Sequence, residues 1–229
     1  DFSAAGINLV DNPNFTDTGS ELVTNGDFAT DTDWTKNSNW SIGGGTANAD
    51  GTSNNAISQL NVVEANKSYE VSFTITNITQ GAFYFDLGIS SSGVTYSSAG
   101  TYTEAITAGT INTRVYIGCT GNAIGSIDNV SVKELGADWT AEGDSSISIG
   151  THEGRDDVAD ININDTSTGS RISQPFTYVA NKSYKVTVDV YVVSGSFRID
   201  SSDTYVSGDF VSTTTTGSER GGHLERGGV

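Results

Sequence analysis

The chain has 229 residues, 28 of them acidic and 11 basic, giving a formal charge of -17. Such a field repels phosphate backbones and anionic lipid heads, which excludes nucleic acid as a partner class, and it favours hard cations such as calcium. No stretch approaches the roughly 20 apolar residues of a membrane span, and the N-terminus lacks the charged-then-apolar order of a signal peptide. The expectation is a chain without membrane insertion, exported through a removed signal, an upstream fusion or lysis if it works outside a cell.

Thr, Ser, Asn, Gly, Val and Ile dominate and helix formers are scarce, a bias toward pleated strands and tight turns. The fold class read from it is all-β. The single cysteine excludes an intrachain disulfide. In Val115-Tyr116-Ile117-Gly118-Cys119 it shares a face with Val115 and Ile117, so a small buried side chain is expected.

Taken in order, residues 1–19 read as an N-terminal arm or partial repeat, because Leu9-Val10-Asp11-Asn12-Pro13-Asn14-Phe15 anticipates Leu22-Val23-Thr24-Asn25-Gly26-Asp27-Phe28. Residues 20–135 then form one β-sandwich domain. Period-two alternation puts Tyr69, Val71, Phe73 and Ile75 on a core face, followed by Phe83, Phe85, Leu87 and Ile89, then Val115, Ile117 and Cys119. Residues 136–220 repeat that domain. Asp33-Trp34-Thr35 returns as Asp138-Trp139-Thr140, and Ser58-Gln59 as Ser173-Gln174. Ala65-Asn66-Lys67-Ser68-Tyr69 returns as Ala180-Asn181-Lys182-Ser183-Tyr184, and Gly81 to Asp86 returns as Gly195 to Asp200.

In the second copy Tyr184, Val186, Val188, Val190 and Val192 point inward. That copy then dissolves into Gly217-Ser218-Glu219-Arg220-Gly221-Gly222-His223, so its last two strands are expected to be missing and residues 221–229 to form an irregular tail. An incomplete sandwich exposes unpaired backbone and an uncovered core. The apolar arm Gly6 to Val10 is the candidate cover, folded back or lent by a neighbouring subunit, which would assemble like subunits head to tail in a fibre or coat.

Regular strands with Gly and Asn between them describe two tandem jelly-roll-like antiparallel β-sandwiches, the second incomplete at its C-terminal end. The opening Leu22 to Phe28, Trp34, Tyr69-Glu70-Val71 and the closing Gly125-Ser126-Ile127-Asp128-Asn129-Val130-Ser131-Val132 resemble the jelly-roll carbohydrate-binding modules attached to xylanases and related glycanases. Their texture is similar to repeated copies in tail-fibre and other structural proteins of marine bacteriophages. The resemblance implies first and last strands that meet, often around a structural calcium. It also implies a sugar-binding groove and an extracellular or virion-surface location. Carried onto this sequence, the metal residues would be Asn25, Asp27 and Asp128, although Ala29 stands where family members commonly place a glutamate. Asp128 reads equally as a turn residue holding backbone amides.

A sugar site needs a flat aromatic face flanked by carboxylate, amide or Arg. Tyr84, Asp86, Arg114 and Tyr116 meet that requirement on one outward face, and Tyr191, Asp189, Arg198 and Asp200 form the matching set in the second copy; an ordinary solvated sheet face is the alternative. Trp34 and Trp139 read as core or groove wall, and Trp40, which has no tryptophan counterpart, as a candidate exposed ligand-binding aromatic. His152 and His223, the only histidines, lie in expected loops without a catalytic motif around them, so no enzyme is expected. Asp156, Asp157, Asp160 and Asp165 read as a solvated loop or a calcium cluster. The functional expectation is a non-enzymatic module that attaches to cell-surface or environmental polysaccharide. A purely structural fibre or coat protein and an accessory glycanase domain are the alternatives.

Overall fold

A computed structural model describes residues 10, 15, 17–91, 93–143, 145–152, 155–163, 170–175, 185–192 and 217–225. The chain divides into two compact units, Val10–Pro175 and Phe176–Val229 with Asp1–Leu9. All regular structure among the described residues is β.

The larger unit is built on two long strands. Residues expected to form separate short strands are continuous in β6 (Ser68–Leu87) and β9 (Val115–Leu135), which pair antiparallel along nearly their whole length, from Tyr69 opposite Glu134 to Leu87 opposite Val115. Both turn a corner midway. The register shifts between Ile75 and Asn77, between Ile78 and Gln80, and between Gln80 and Ala82, and these bulges bend the ribbon without ending it. At the corner Gly81 (φ 69°) leaves no room for a side chain, since a Cβ there would run into the Thr120 carbonyl.

Each long strand therefore serves two layers. In the first layer β8 (Gly100–Thr107) pairs with the N-terminal half of β6, and β1 (Thr18–Glu21) with the C-terminal end of β9. In the second layer β7 (Ser90–Ser91) pairs with the C-terminal half of β6. On its other side β5 (Ala56–Gln59) pairs with the start of β9, and β2 (Thr35–Lys36) with β5. The hairpin β3 (Trp40–Ile42) and β4 (Ala47–Asp50) attaches to the middle of β9. The result is an antiparallel, nearly closed sheet folded over one core.

Alternation explains that core. Tyr69, Val71, Phe73 and Ile75 from one layer and Phe83, Phe85, Leu87, Val115 and Ile117 from the other are all essentially inaccessible. Phe73 and Phe85 stack across the interior with ring centroids 3.8 Å apart. Ile89 departs from the expected inward set: β6 ends at Leu87, and Ile89 sits in the following turn at φ 59° with its side chain exposed. Cys119 is buried as expected, and burial pushes its thiol up to about 11.

First and last strands meet at β1 and β9. Leu22 N donates to Val132 O at 3.0 Å. Glu21 closes the junction: its carboxylate accepts from the backbone N–H of Leu22, Val23 and Val132 and from the Ser131 hydroxyl. Gln59 forms a second clasp, its buried amide pairing with both backbone groups of Thr24 at 2.9 Å.

Beyond Leu135 the same unit holds β10 (Thr140–Glu142), β11 (Ser145–His152), β12 (Arg155–Ile163) and β13 (Arg171–Ser173). Thr140 stands opposite Ser173, as Thr35 stands opposite Ser58, so the repeated residues recur in the same pairing. Gln174 Nε2 donates to Asp138 O at 3.2 Å. The Ser173 hydroxyl and Arg171 hold the Glu142 carboxyl below its usual range. Asp156, Asp157 and Asp160, read as a loop cluster, belong to strand β12, and His152 to β11; Asp165 lies outside the described residues.

In the smaller unit β14 (Lys185–Val192) pairs antiparallel with β15 (Gly217–Glu225). The segment from Gly217, which sequence read as dissolving, and the first part of the expected tail thus form a strand that carries His223. A Val-rich strand needs a backbone partner, and this Gly-containing, proline-free segment can supply one. The apolar arm lies outside the described residues except for Val10.

Candidate functional site

The outer face of the second layer is only partly open to solvent, with Ala56, Ser58 and Gly118 buried on it. Because Phe83, Phe85, Leu87, Val115 and Ile117 point inward, their neighbours Tyr84, Asp86 and Tyr116 must point outward, and each is half-buried, as is Arg114 just before β9. The register sets them in rows. Asp86 lies opposite Ser91 on one side and Tyr116 on the other, Tyr116 opposite Ser58, and Ser58 opposite Thr35. From Asp86 to Thr35, one row of polar and aromatic side chains thus crosses four strands. In the adjoining row Tyr84 lies opposite Gly118, and Gly118 opposite Ala56.

Tyr84 lies across Gly118. A Cβ at position 118 would fall within the Tyr84 ring and overlap its hydroxyl. A glycine inside a strand marks close approach by another group, and here that group is the tyrosine from the neighbouring strand, laid against the sheet. Burial raises the Tyr84 phenol above its ordinary value, with Asp86 and then Tyr116 adding to the effect. The Arg114 backbone is fixed by Gly88 N, which donates to its carbonyl at 2.8 Å, and by Asn112 Oδ1, which accepts from its N–H at 3.0 Å. Its Nε is buried and makes no hydrogen bond among the described residues. Leu60, just past the end of β5, is half exposed, whereas Ala56 and Ser58 within that strand are buried.

The structure therefore brings together the four residues Tyr84, Asp86, Arg114 and Tyr116 expected on one face. It does not bring Trp40 to them. Trp40 is 5% exposed, its ring packs 5.7 Å from that of Phe83, and its Nε1 donates to Asn55 O. An indole with a satisfied N–H is as stable in a core as a phenyl ring, so Trp40 is a core residue rather than an exposed ligand-binding one. Trp34 is likewise buried, against Phe28, with its Nε1 donating to Asn25 O. In the second copy Asp189 and Tyr191 lie on β14, Tyr191 opposite Ser218, whereas Arg198 and Asp200 lie outside the described residues.

The residues expected to hold calcium lie near the meeting of first and last strands, where Val130 N donates to Gly26 O at 2.9 Å. Their side chains serve the local backbone. Asn25, at φ 51°, donates to Thr30 O and Thr32 O and accepts from Thr30 N. Asp27 accepts from Ala29 N, and Asp128 accepts from both the backbone and the side-chain amide of Asn129. Among the described residues no three His, Cys, Asp or Glu gather closely enough to hold a metal ion.

Four members of the face escaped the sequence reading: Thr35, Ser58, Leu60 and Gly118. Gly118 alone left a signal, as a glycine inside an otherwise apolar strand. Compared with known proteins, the chain matches no family model and no curated protein.

Proposed function

We propose that this protein is a non-enzymatic attachment module that binds a glycan on the outer face carrying Tyr84, Asp86, Arg114 and Tyr116. The observation that carries the proposal is the seating of Tyr84 on Gly118, beside an outward Tyr116 that has Asp86 opposite it and Arg114 two residues before it. Flat aromatic rings accept the apolar face of a pyranose, and Asp86 and Arg114 supply an acceptor and donors for its hydroxyls. Display on a cell or virion surface, alongside like subunits, rests on the resemblance to glycanase-attached and phage-borne modules.

Affinity electrophoresis through gels containing soluble polysaccharides tests the proposal. The chain should be retarded by at least one polysaccharide, and the double variant Tyr84→Ala/Tyr116→Ala should run at its free mobility in the same gel. Unretarded migration through every polysaccharide would leave the module as an architectural bead of a fibre or coat. Retardation that survives the double substitution would move the site elsewhere.

A further inference from the structure

The second copy has a tryptophan but no opening segment directly ahead of it. In the first copy Phe28, the last residue of the opening Leu22 to Phe28, stands six residues before Trp34 and packs on it, with ring centroids 5.2 Å apart and planes tilted by 45°. Trp139 repeats Trp34: each immediately precedes the threonine that pairs with the repeated serine, Thr35 with Ser58 and Thr140 with Ser173. Six residues before Trp139, however, the chain is at Lys133, still in β9, which runs to Leu135 as the closing strand of the first copy. Only Gly136, Ala137 and Asp138 separate β9 from Trp139, too few to hold an opening segment.

A phenyl ring nevertheless packs on Trp139. It belongs to Phe15, which ends the echo Leu9 to Phe15 at the position Phe28 holds in Leu22 to Phe28. The ring centroids lie 5.3 Å apart with planes tilted by 34°, close to the arrangement of Phe28 on Trp34. The backbones agree as well. Phe15 sits at φ 57° and Phe28 at φ 48°, a left-handed conformation that few bulky residues adopt and that costs free energy wherever it occurs. A chain that merely passed Trp139 would have no reason to adopt it at the same residue of the same motif. Gly136 and Ile149 complete the seat: a Cβ on Gly136 would stand 3.8 Å from the Phe15 ring and 3.6 Å from Ile149. We infer that Trp139, with Gly136 and Ile149, is the receptor for an opening segment that the chain supplies from its own N-terminus, ending in Phe15. The two copies are then nested rather than tandem, the first inserted between the opening segment of the second and the rest of it. The geometry permits this, because only Thr16 and Asp17 separate Phe15 from β1, and Thr18 lies opposite Leu135, so the inserted copy begins and ends side by side. The inference holds whether or not a glycan binds the outer face.

Hydrogen exchange on the full chain, read by peptide mass spectrometry, tests this. Phe15→Ala should speed exchange in β10 and β13 about tenfold, the scale of one lost aromatic contact and its burial, and leave the middle of β6 and β9 as in the parent chain. Trp139→Ala should do the same, and the double variant should exchange no faster than Trp139→Ala alone, because one contact can be lost only once. Unchanged exchange in β10 and β13 after Phe15→Ala, or single effects that add in the double variant, would overturn the inference. So would protection of β10 and β13 in the parent chain that rises with protein concentration over about a hundredfold range, since the opening segment would then come from a neighbouring subunit.

Discussion

The two outer faces of the sandwich use similar strands to opposite ends. On the first layer the polar side chains are bonded to one another: Ser68 to Thr107 at 2.8 Å, Thr74 to Thr101 at 3.0 Å, Ser131 to Glu21 at 2.5 Å. On the second layer Tyr84 is laid over a glycine, Tyr116 faces outward beside it, and the Arg114 Nε has no hydrogen bond among the described residues. A face whose hydroxyls are already paired gains little by exchanging those bonds for bonds to a ligand. A face that leaves rings and a guanidinium half exposed has something to gain. Polarity alone therefore does not mark a binding surface; what counts is how much of it the fold has already used.

Removing what both faces stand on should have the greatest consequence. Phe85 stacks on Phe73 at the centre of the interior, so Phe85→Ala should cost about 3–5 kcal/mol through lost transfer energy and a cavity. Denaturant titration should show this loss, and the two faces should fail together. A variant that lost the second layer while the first stayed folded would mean that the layers are independent, against the continuity of β6 and β9.

A smaller effect should separate the faces. Glu21 gathers three backbone N–H groups and the Ser131 hydroxyl where first and last strands meet, so Glu21→Ala should destabilise by about 1–3 kcal/mol. Retardation by polysaccharide should be unchanged under conditions where the variant is still folded. Smaller still is the replacement of Thr74 and Thr101 together by Val. The pair keeps its shape and loses one exposed cross-strand bond, for which about 0.5 kcal/mol is expected in a melting experiment, with no change in binding.

These contrasts show where sequence was sufficient. Alternation in Tyr69 to Ile75 and Val115 to Cys119 assigns inward and outward faces because burial of one face leaves a two-residue period that nothing else produces. The same rule placed Tyr84, Asp86 and Tyr116 on one outward surface. It misjudged Ile89, where the strand had already ended, and it divided β6 and β9 into separate strands because Gly81 and Gly121 resemble turn residues when they in fact support a corner. Trp40 misled because the lack of a repeat counterpart carries no information about burial. Glu21 left no mark at all, since its partners are backbone groups brought close only by the meeting of chain ends. Gln59 lay inside the repeated Ser-Gln pair, and its clasp on Thr24 gives a physical reason for the amide to be there.

The mildest perturbation, a change of pH, tests how deeply each region holds its protons. Burial raises the Cys119 thiol from an ordinary 9.0 to about 11. Burial also raises the phenols of Tyr69 in the core and Tyr84 on the outer face of the second layer. For Lys67, burial alone would lower the ammonium, but the hydrogen bonds and charges of Glu134 and Glu64 outweigh it and the net shift is upward. All four groups hold a proton more tightly in the folded chain than in the unfolded one. Their contribution is therefore complete below the unfolded values and is lost as pH rises through the folded ones. The loss should begin with Cys119 between pH 9.0 and about 11 and continue with the tyrosines and Lys67 above their ordinary values of 10.0 and 10.5. Melting temperature measured from about pH 7 to 12 should fall along that course. Cys119→Ala should flatten its first part and leave the rest, and Tyr84→Phe should remove the share that belongs to the outer face of the second layer. A decline that begins only above the tyrosine range, unchanged by Cys119→Ala, would show that the thiol is reached by water and that the core beneath the second layer is looser than the packing of Ile117 and Phe83 implies.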